Sequence, residues 1–100
     1  MGGDFFISVD WGTSNFRVRL VKCTSLQIVE EVFSPQGIKK TYGLWNAHGG
    51  EREDYFLGFL KSQIDQFKTE IDINTKVVVS GMASSSIGIK ELPYAELPFN

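Results

Sequence analysis

Asp10, Gly12, Thr13, Ser14, Asn15 and Arg17 fall within one run of eight residues, and together they carry the chemistry of this chain. A carboxylate, a glycine, two hydroxyls, an amide and a guanidinium on one short turn can cradle Mg²⁺ and the phosphates of a nucleotide. The carboxylate suits a hard cation. The hydroxyls, the amide, the guanidinium and the backbone N–H groups are donors that suit phosphate oxygens. The same residue types also build ordinary tight turns, so the run by itself leaves both readings open.

The elements around the run must position it. Phe5-Phe6-Ile7-Ser8-Val9 ahead of it is apolar and β-branched, and a first strand is expected over residues 4–9. Phe16-Arg17-Val18-Arg19-Leu20-Val21 behind it alternates as a strand does, and a second strand is expected over 15–23. The carboxylate thus stands at a strand end and the hydroxyls at a hairpin tip. A third strand is expected over 26–33, joined through Thr24-Ser25, which makes the first three strands an antiparallel meander.

Ser34-Pro35-Gln36-Gly37 breaks that pattern. Residues 38–50, with two lysines, two aromatics and three glycines, read as a long loop of the kind that often carries function. From Glu51 to Phe67 the period becomes helical, with Phe56, Phe59, Leu60, Ile64 and Phe67 on one stripe that reads as core. Glu51, Glu53 and Asp54 sit in the first turn, where negative charge complements the helix dipole. Val77-Val78-Val79 then reads as a central parallel strand reached by a crossover, ended by Ser80-Gly81. The tail from Met82 shows no periodicity. The expected fold is α/β: a mixed sheet in the order strand, strand, strand, helix, strand, the opening half of a ribonuclease H-like sheet.

Composition narrows the partners. A formal charge of −2 gives no footprint for nucleic acid or an anionic membrane. Two tryptophans, three tyrosines and eight phenylalanines supply ample core for a globular domain of 100 residues. The lone Cys23 forms no internal disulfide, which fits a reducing cytoplasm. No basic, apolar leader and no apolar run of the ~20 residues that span a bilayer is found, so a cytoplasmic domain is expected.

Several chemistries fall away. The chain has no GxxxxGK[ST] and no GxGxxG between strand and helix. One Cys and one His build no zinc site, and His48, the only candidate for a triad, lies in a glycine-flanked loop. A two-metal nuclease needs further carboxylates converging on Asp10, but the fourth strand ends in Ser80-Gly81. A nucleotide-dependent kinase or ATPase needs one strand-end carboxylate and donors for phosphate oxygens, which this hairpin has.

Val9-Asp10-Trp11-Gly12-Thr13-Ser14-Asn15-Phe16-Arg17 resembles the first phosphate motif of the actin–hexokinase superfamily, and in particular that of 2-dehydro-3-deoxygalactonokinases. A second block, Ser80-Gly81-Met82-Ala83-Ser84-Ser85 followed by Gly88, Pro93-Tyr94 and Pro98, is similar to that family's Ser-Gly-Met segment and Pro-Tyr element. Ile89 departs from the tryptophan expected there. The resemblance implies an actin-like ATPase lobe that transfers the ATP γ-phosphate, with Mg²⁺, to the 6-hydroxyl of 2-dehydro-3-deoxygalactonate. By matching positions Asp10 would hold the cation, Gly12, Thr13, Ser14 and Asn15 the phosphates, and Arg17 would neutralise the transferred group. For the sugar acid, Ser84 and Ser85 offer hydroxyls beside Gly88, Lys90 offers a partner for the carboxylate, and Tyr94 a surface for the sugar chain.

The resemblance also implies a two-lobed enzyme. Residues 1–100 are then expected to be a truncated part of the N-terminal lobe, inactive alone, with the fourth strand's edge exposed and self-association as a consequence. Two alternatives stand beside this reading: a non-catalytic actin-like nucleotide-binding module, and another carbohydrate kinase of the same superfamily.

Overall fold

The structure, a computed structural model, describes residues 4–81, 91–94 and 97. Strand β1 (Phe5–Trp11) and strand β2 (Phe16–Lys22) form the hairpin, and strand β3 (Ile28–Ser34) continues the meander. Helices α1 (Ile38–His48) and α2 (Arg52–Ile64) follow, then strand β4 (Lys76–Gly81) and the short strand β5 (Glu91–Pro93). The sheet order is β3-β2-β1-β4-β5. The β1–β4 pair is parallel and the other pairs are antiparallel, as a helical crossover back to the centre of the sheet requires.

Alternation decides which face is buried. Ile7, Val9 and Trp11 of β1, Phe16, Val18 and Leu20 of β2, and Val77 and Val79 of β4 share one face and are buried. Against them lie Phe56, Leu57, Leu60 and Ile64 of α2, joined by Phe67 and Leu97. The expected helix stripe is core, with Phe59 only half-buried and Phe67 packing from the turn after Ile64. On the other face Asp10 and Ser80 are exposed, and Arg17 and Arg19 are half-exposed.

Three expectations need correction. Residues 38–50 are not a loop: α1 occupies most of them. Ile38, Thr41 and Trp45 at spacings of three and four turn one face inward, with Thr41 wholly buried. Gly43 weakens this helix by ~1 kcal/mol relative to alanine, so tertiary anchors must hold it. The Gly49-Gly50 pair, at φ 85° and 90°, ends the helix instead of excluding it, with the Gly49 N–H on the Trp45 carbonyl at 2.7 Å. His48 is therefore the last helical residue, exposed, its ring 5.3 Å from that of Tyr55. Finally, the edge of β4 is not left open, because β5 pairs along Lys76–Val78. Among the described residues the outer strands are β3 and β5.

Candidate phosphate-binding site

Two supports fix the hairpin tip. From below, Trp11 packs edge-on to Phe16 at 5.0 Å and lies 5.3 and 5.5 Å from Phe56 and Phe59. Those four rings clamp both stems of the hairpin to α2. From the side, α1 begins against the tip: the N–H of Ile38 donates to the Gly12 carbonyl at 2.9 Å, and that of Lys39 to the Thr13 carbonyl at 3.1 Å. Helix N–H groups that lack intrahelical partners are thereby satisfied by the turn. Within the tip, the Gly12 N–H donates to the Asn15 carbonyl at 2.9 Å.

The β1–β2 register places Asp10 opposite Arg17, and the parallel β1–β4 register places it beside Ser80. Paired residues leave the sheet on the same face, so carboxylate, guanidinium and hydroxyl share one rim. Asp10, Gly12, Thr13, Ser14, Asn15, Arg17 and Phe33 line a cavity of about 240 Å³. Arg17 stacks its guanidinium 5.5 Å from the Phe33 ring centroid, and its Nε is buried with no hydrogen-bond partner. Glu31 lies 3.8 Å from that nitrogen while hydrogen-bonding to Arg19. Arg17 is thus oriented by an aromatic face and a shared carboxylate, with donor capacity to spare. Ser80 Oγ donates to the Val9 carbonyl at 3.0 Å, which ties the end of β4 to β1.

All six hairpin residues inferred from the sequence therefore meet at one cavity. Phe33, Gly37, Lys39 and Lys40 escaped that inference. The last three, with Pro35, Thr13 and Ser14, line an adjoining space of about 400 Å³. The signal for them was present in the Ile38, Thr41, Trp45 spacing, which marks a helix start beside Gly37. Ser84, Ser85, Gly88 and Lys90 lie outside the described residues.

Tyr94 is not brought to the hairpin. Its N–H donates to the Thr75 carbonyl at 2.8 Å, at the start of β4, whereas Asp10 lies level with Ser80 near that strand's end. Its hydroxyl donates to Asp65 at 2.6 Å, and Lys61 lies both 5.5 Å from its ring centroid and 2.7 Å from Asp65. Burial, reinforced by the bond to Asp65, pushes the Tyr94 phenol above its ordinary value. Tyr94 is a strut between β5 and the end of α2.

Among the described residues no three His, Cys, Asp or Glu side chains gather as a metal site, and no helix is long and apolar enough to cross a membrane. Asp10 is exposed and makes no ion pair with another described residue. One accessible carboxylate beside a phosphate-sized cavity fits Mg²⁺, which keeps most of its waters and takes few protein ligands.

The mixed sheet with a strand-end aspartate and a hydroxyl-bearing β1–β2 tip defines an α/β domain of the ribonuclease H-like, actin-like fold. Two solved structures share the fold. A Sinorhizobium meliloti protein provisionally identified as a 2-dehydro-3-deoxygalactonokinase aligns with a TM-score of 0.52 and 19% identity, over 80% of this chain and 22% of that one. Ethanolamine utilization protein EutJ from Carboxydothermus hydrogenoformans aligns with a TM-score of 0.52 and 15% identity, over 87% of this chain and 43% of that one. The chain thus spans less than half the length of either structure. No curated protein sequence matches it. The model of the 2-keto-3-deoxy-galactonokinase family matches residues 10–100, and the chain belongs to that family.

Proposed function

We propose that this chain is the phosphate-holding part of an ATP-dependent kinase that phosphorylates 2-dehydro-3-deoxygalactonate at its 6-hydroxyl. The observation that carries the reading is the register of Asp10 opposite Arg17 on the rim of a cavity lined by Gly12, Thr13, Ser14 and Asn15. Family membership supports the substrate class.

Asp10 holds Mg²⁺, directly or through water. The cation, when bound, neutralises charge on the phosphate oxygens. Gly12, Thr13, Ser14 and Asn15 contact the phosphates through backbone N–H groups and side chains. Arg17 supplies two-pronged positive charge to the transferred group, a geometry lysine lacks. Ser84, Ser85, Gly88 and Lys90 serve the sugar acid, Lys90 through its carboxylate; Tyr94, tied to Asp65, is left out of that set. The general base and the adenine pocket belong to the rest of a two-lobed protein, so residues 1–100 alone are inactive. Dependence on ATP fits the cytoplasm.

ADP release by the full-length protein, measured with 2-dehydro-3-deoxygalactonate, tests the reading. Turnover with this substrate that is lost in Asp10→Ala supports it. Turnover unchanged in Asp10→Ala overturns the cation site, and ATP binding indifferent to every sugar acid points instead to a non-catalytic module.

A further inference from the structure

Gly37 stands where the β3–α1 junction touches the phosphate hairpin. A Cβ built on it would lie 2.4 Å from the Thr13 carbonyl oxygen, 2.5 Å from the Ser14 carbonyl carbon and 2.6 Å from the Asn15 nitrogen. Those are backbone atoms, so no side-chain rotation relieves the overlap. Its φ of −73° is open to any residue, which means that the glycine is required by close approach and not by backbone conformation. The contact spans three consecutive tip residues, each of which lines the phosphate cavity.

The junction is itself held firmly. Trp11, next to Asp10 in the chain, donates from Nε1 to the Gln36 carbonyl at 3.3 Å. The wholly buried Thr41 donates to the Gly37 carbonyl from both its hydroxyl, at 2.8 Å, and its N–H, at 3.0 Å. Gln36 Nε2 in turn reaches Thr41 Oγ1 at 3.4 Å. Immediately after Gly37, the N–H groups of Ile38 and Lys39 bind the Gly12 and Thr13 carbonyls. Turning those two carbonyls toward α1 leaves the other side of the tip to face the cavity.

We infer that Gly37, seated by Thr41, is a positioning residue for the phosphate hairpin: it lets the start of α1 press the Gly12–Asn15 backbone into the shape that receives phosphate. The inference rests on the phosphate-binding role proposed above. It deepens that role by adding a residue from outside the motif. A side chain at 37 pushes the tip away from α1 and breaks the two carbonyl contacts. A displacement of about 1 Å is enough to weaken a positioned interaction ~100-fold.

The test compares Gly37→Ala with Gly43→Ala, a control in the same helix where an added Cβ meets nothing within 4 Å. Two quantities are measured in the full-length protein: amide hydrogen exchange at Ile38 and Lys39, and affinity for Mg²⁺–ATP. Gly37→Ala is expected to speed exchange at both amides and to weaken ATP binding ~10- to 100-fold, whereas Gly43→Ala, which favours the helix, is expected to exchange no faster and to bind ATP as the parent does. Thr41→Val, which keeps the shape but loses the hydroxyl on Gly37, is expected to act in the same direction, with Thr41→Ser restoring binding. That pair decides the matter if Gly37→Ala does not fold.

Faster exchange with ATP affinity intact in Gly37→Ala overturns the inference, as does Thr41→Val binding ATP like the parent chain. A full-length parent protein that binds no Mg²⁺–ATP overturns the functional reading instead. Exchange at Ile38 and Lys39 then judges the positioning alone, and unaltered exchange in Gly37→Ala and Thr41→Val refutes it.

Discussion

Asp10 on β1 and Arg17 on β2 are register partners across the hairpin, so a carboxylate and a guanidinium leave the same face of the sheet beside one cavity. They are not joined as an ion pair: Arg17 is shared between the Phe33 ring and Glu31, and Asp10 is exposed. Opposite charges placed side by side but not paired with each other suit a site whose ligand brings both cation and anion.

Arg17→Ala and Arg17→Lys separate charge from geometry. If the full-length protein has the activity proposed above, Arg17→Ala is expected to lower kcat by ~100-fold or more, the scale for removing a preorganised donor at a charged transition state. Arg17→Lys keeps the charge but loses the planar fork and the stacking on Phe33, and is expected to recover only part of the rate. Steady-state kinetics at saturating ATP decide it; equal rates for Lys and Arg would remove the argument from geometry.

Trp11 is wholly buried among Phe16, Phe56 and Phe59. Trp11→Ala is expected to cost ~3–5 kcal/mol through cavity formation, read as a lower midpoint in urea denaturation. A change below ~1 kcal/mol would show that the rings are not the hairpin's foundation.

Glu30 gives the chain an acid sensitivity. A hydrogen bond from the Thr69 side chain, with the backbone N–H groups of Lys68 and Thr69, holds the Glu30 carboxyl below its ordinary value of 4.5. Because the folded-state value is the lower one, the stabilisation is complete above about pH 4.5 and is lost as pH falls through the folded value. Glu30→Gln is therefore expected to be less stable than the parent near pH 7, with the gap closing as pH drops below 4.5. Thermal melts across that range give the answer, and a constant gap would contradict the linkage.

Tyr94→Phe tests the strut. The variant loses the hydrogen bond to Asp65 and is expected to lose ~1 kcal/mol of stability. The KM for the sugar acid is expected to stay within about twofold, since Tyr94 lies at the far end of β4 from Asp10. A large rise in KM with stability intact would return Tyr94 to the substrate site.

Much of this is legible in the sequence, for a physical reason. The alternation of Phe16 to Val21, the Val77–Val79 run and the Phe56–Phe67 stripe report burial along a single element, and burial is written residue by residue. The Asp10–Arg17 hairpin is local in the same way: neighbours in sequence meet at one tip, so chemistry and position are read together. Residues 38–50 read as a loop in the sequence because α1 is weak as an isolated helix. Gly43 sits within it and no acidic residue occupies its first turn, so the contacts that sustain it come from elsewhere in the chain. Only the tertiary structure could bring Gly37 against Thr13, Ser14 and Asn15, or take Tyr94 away to Asp65. Both depend on how a strand register and a helix start align across more than twenty residues of chain, and no local pattern encodes that alignment. The sequence by itself determined which residues gather at the hairpin cavity; the fold decided what holds them in place.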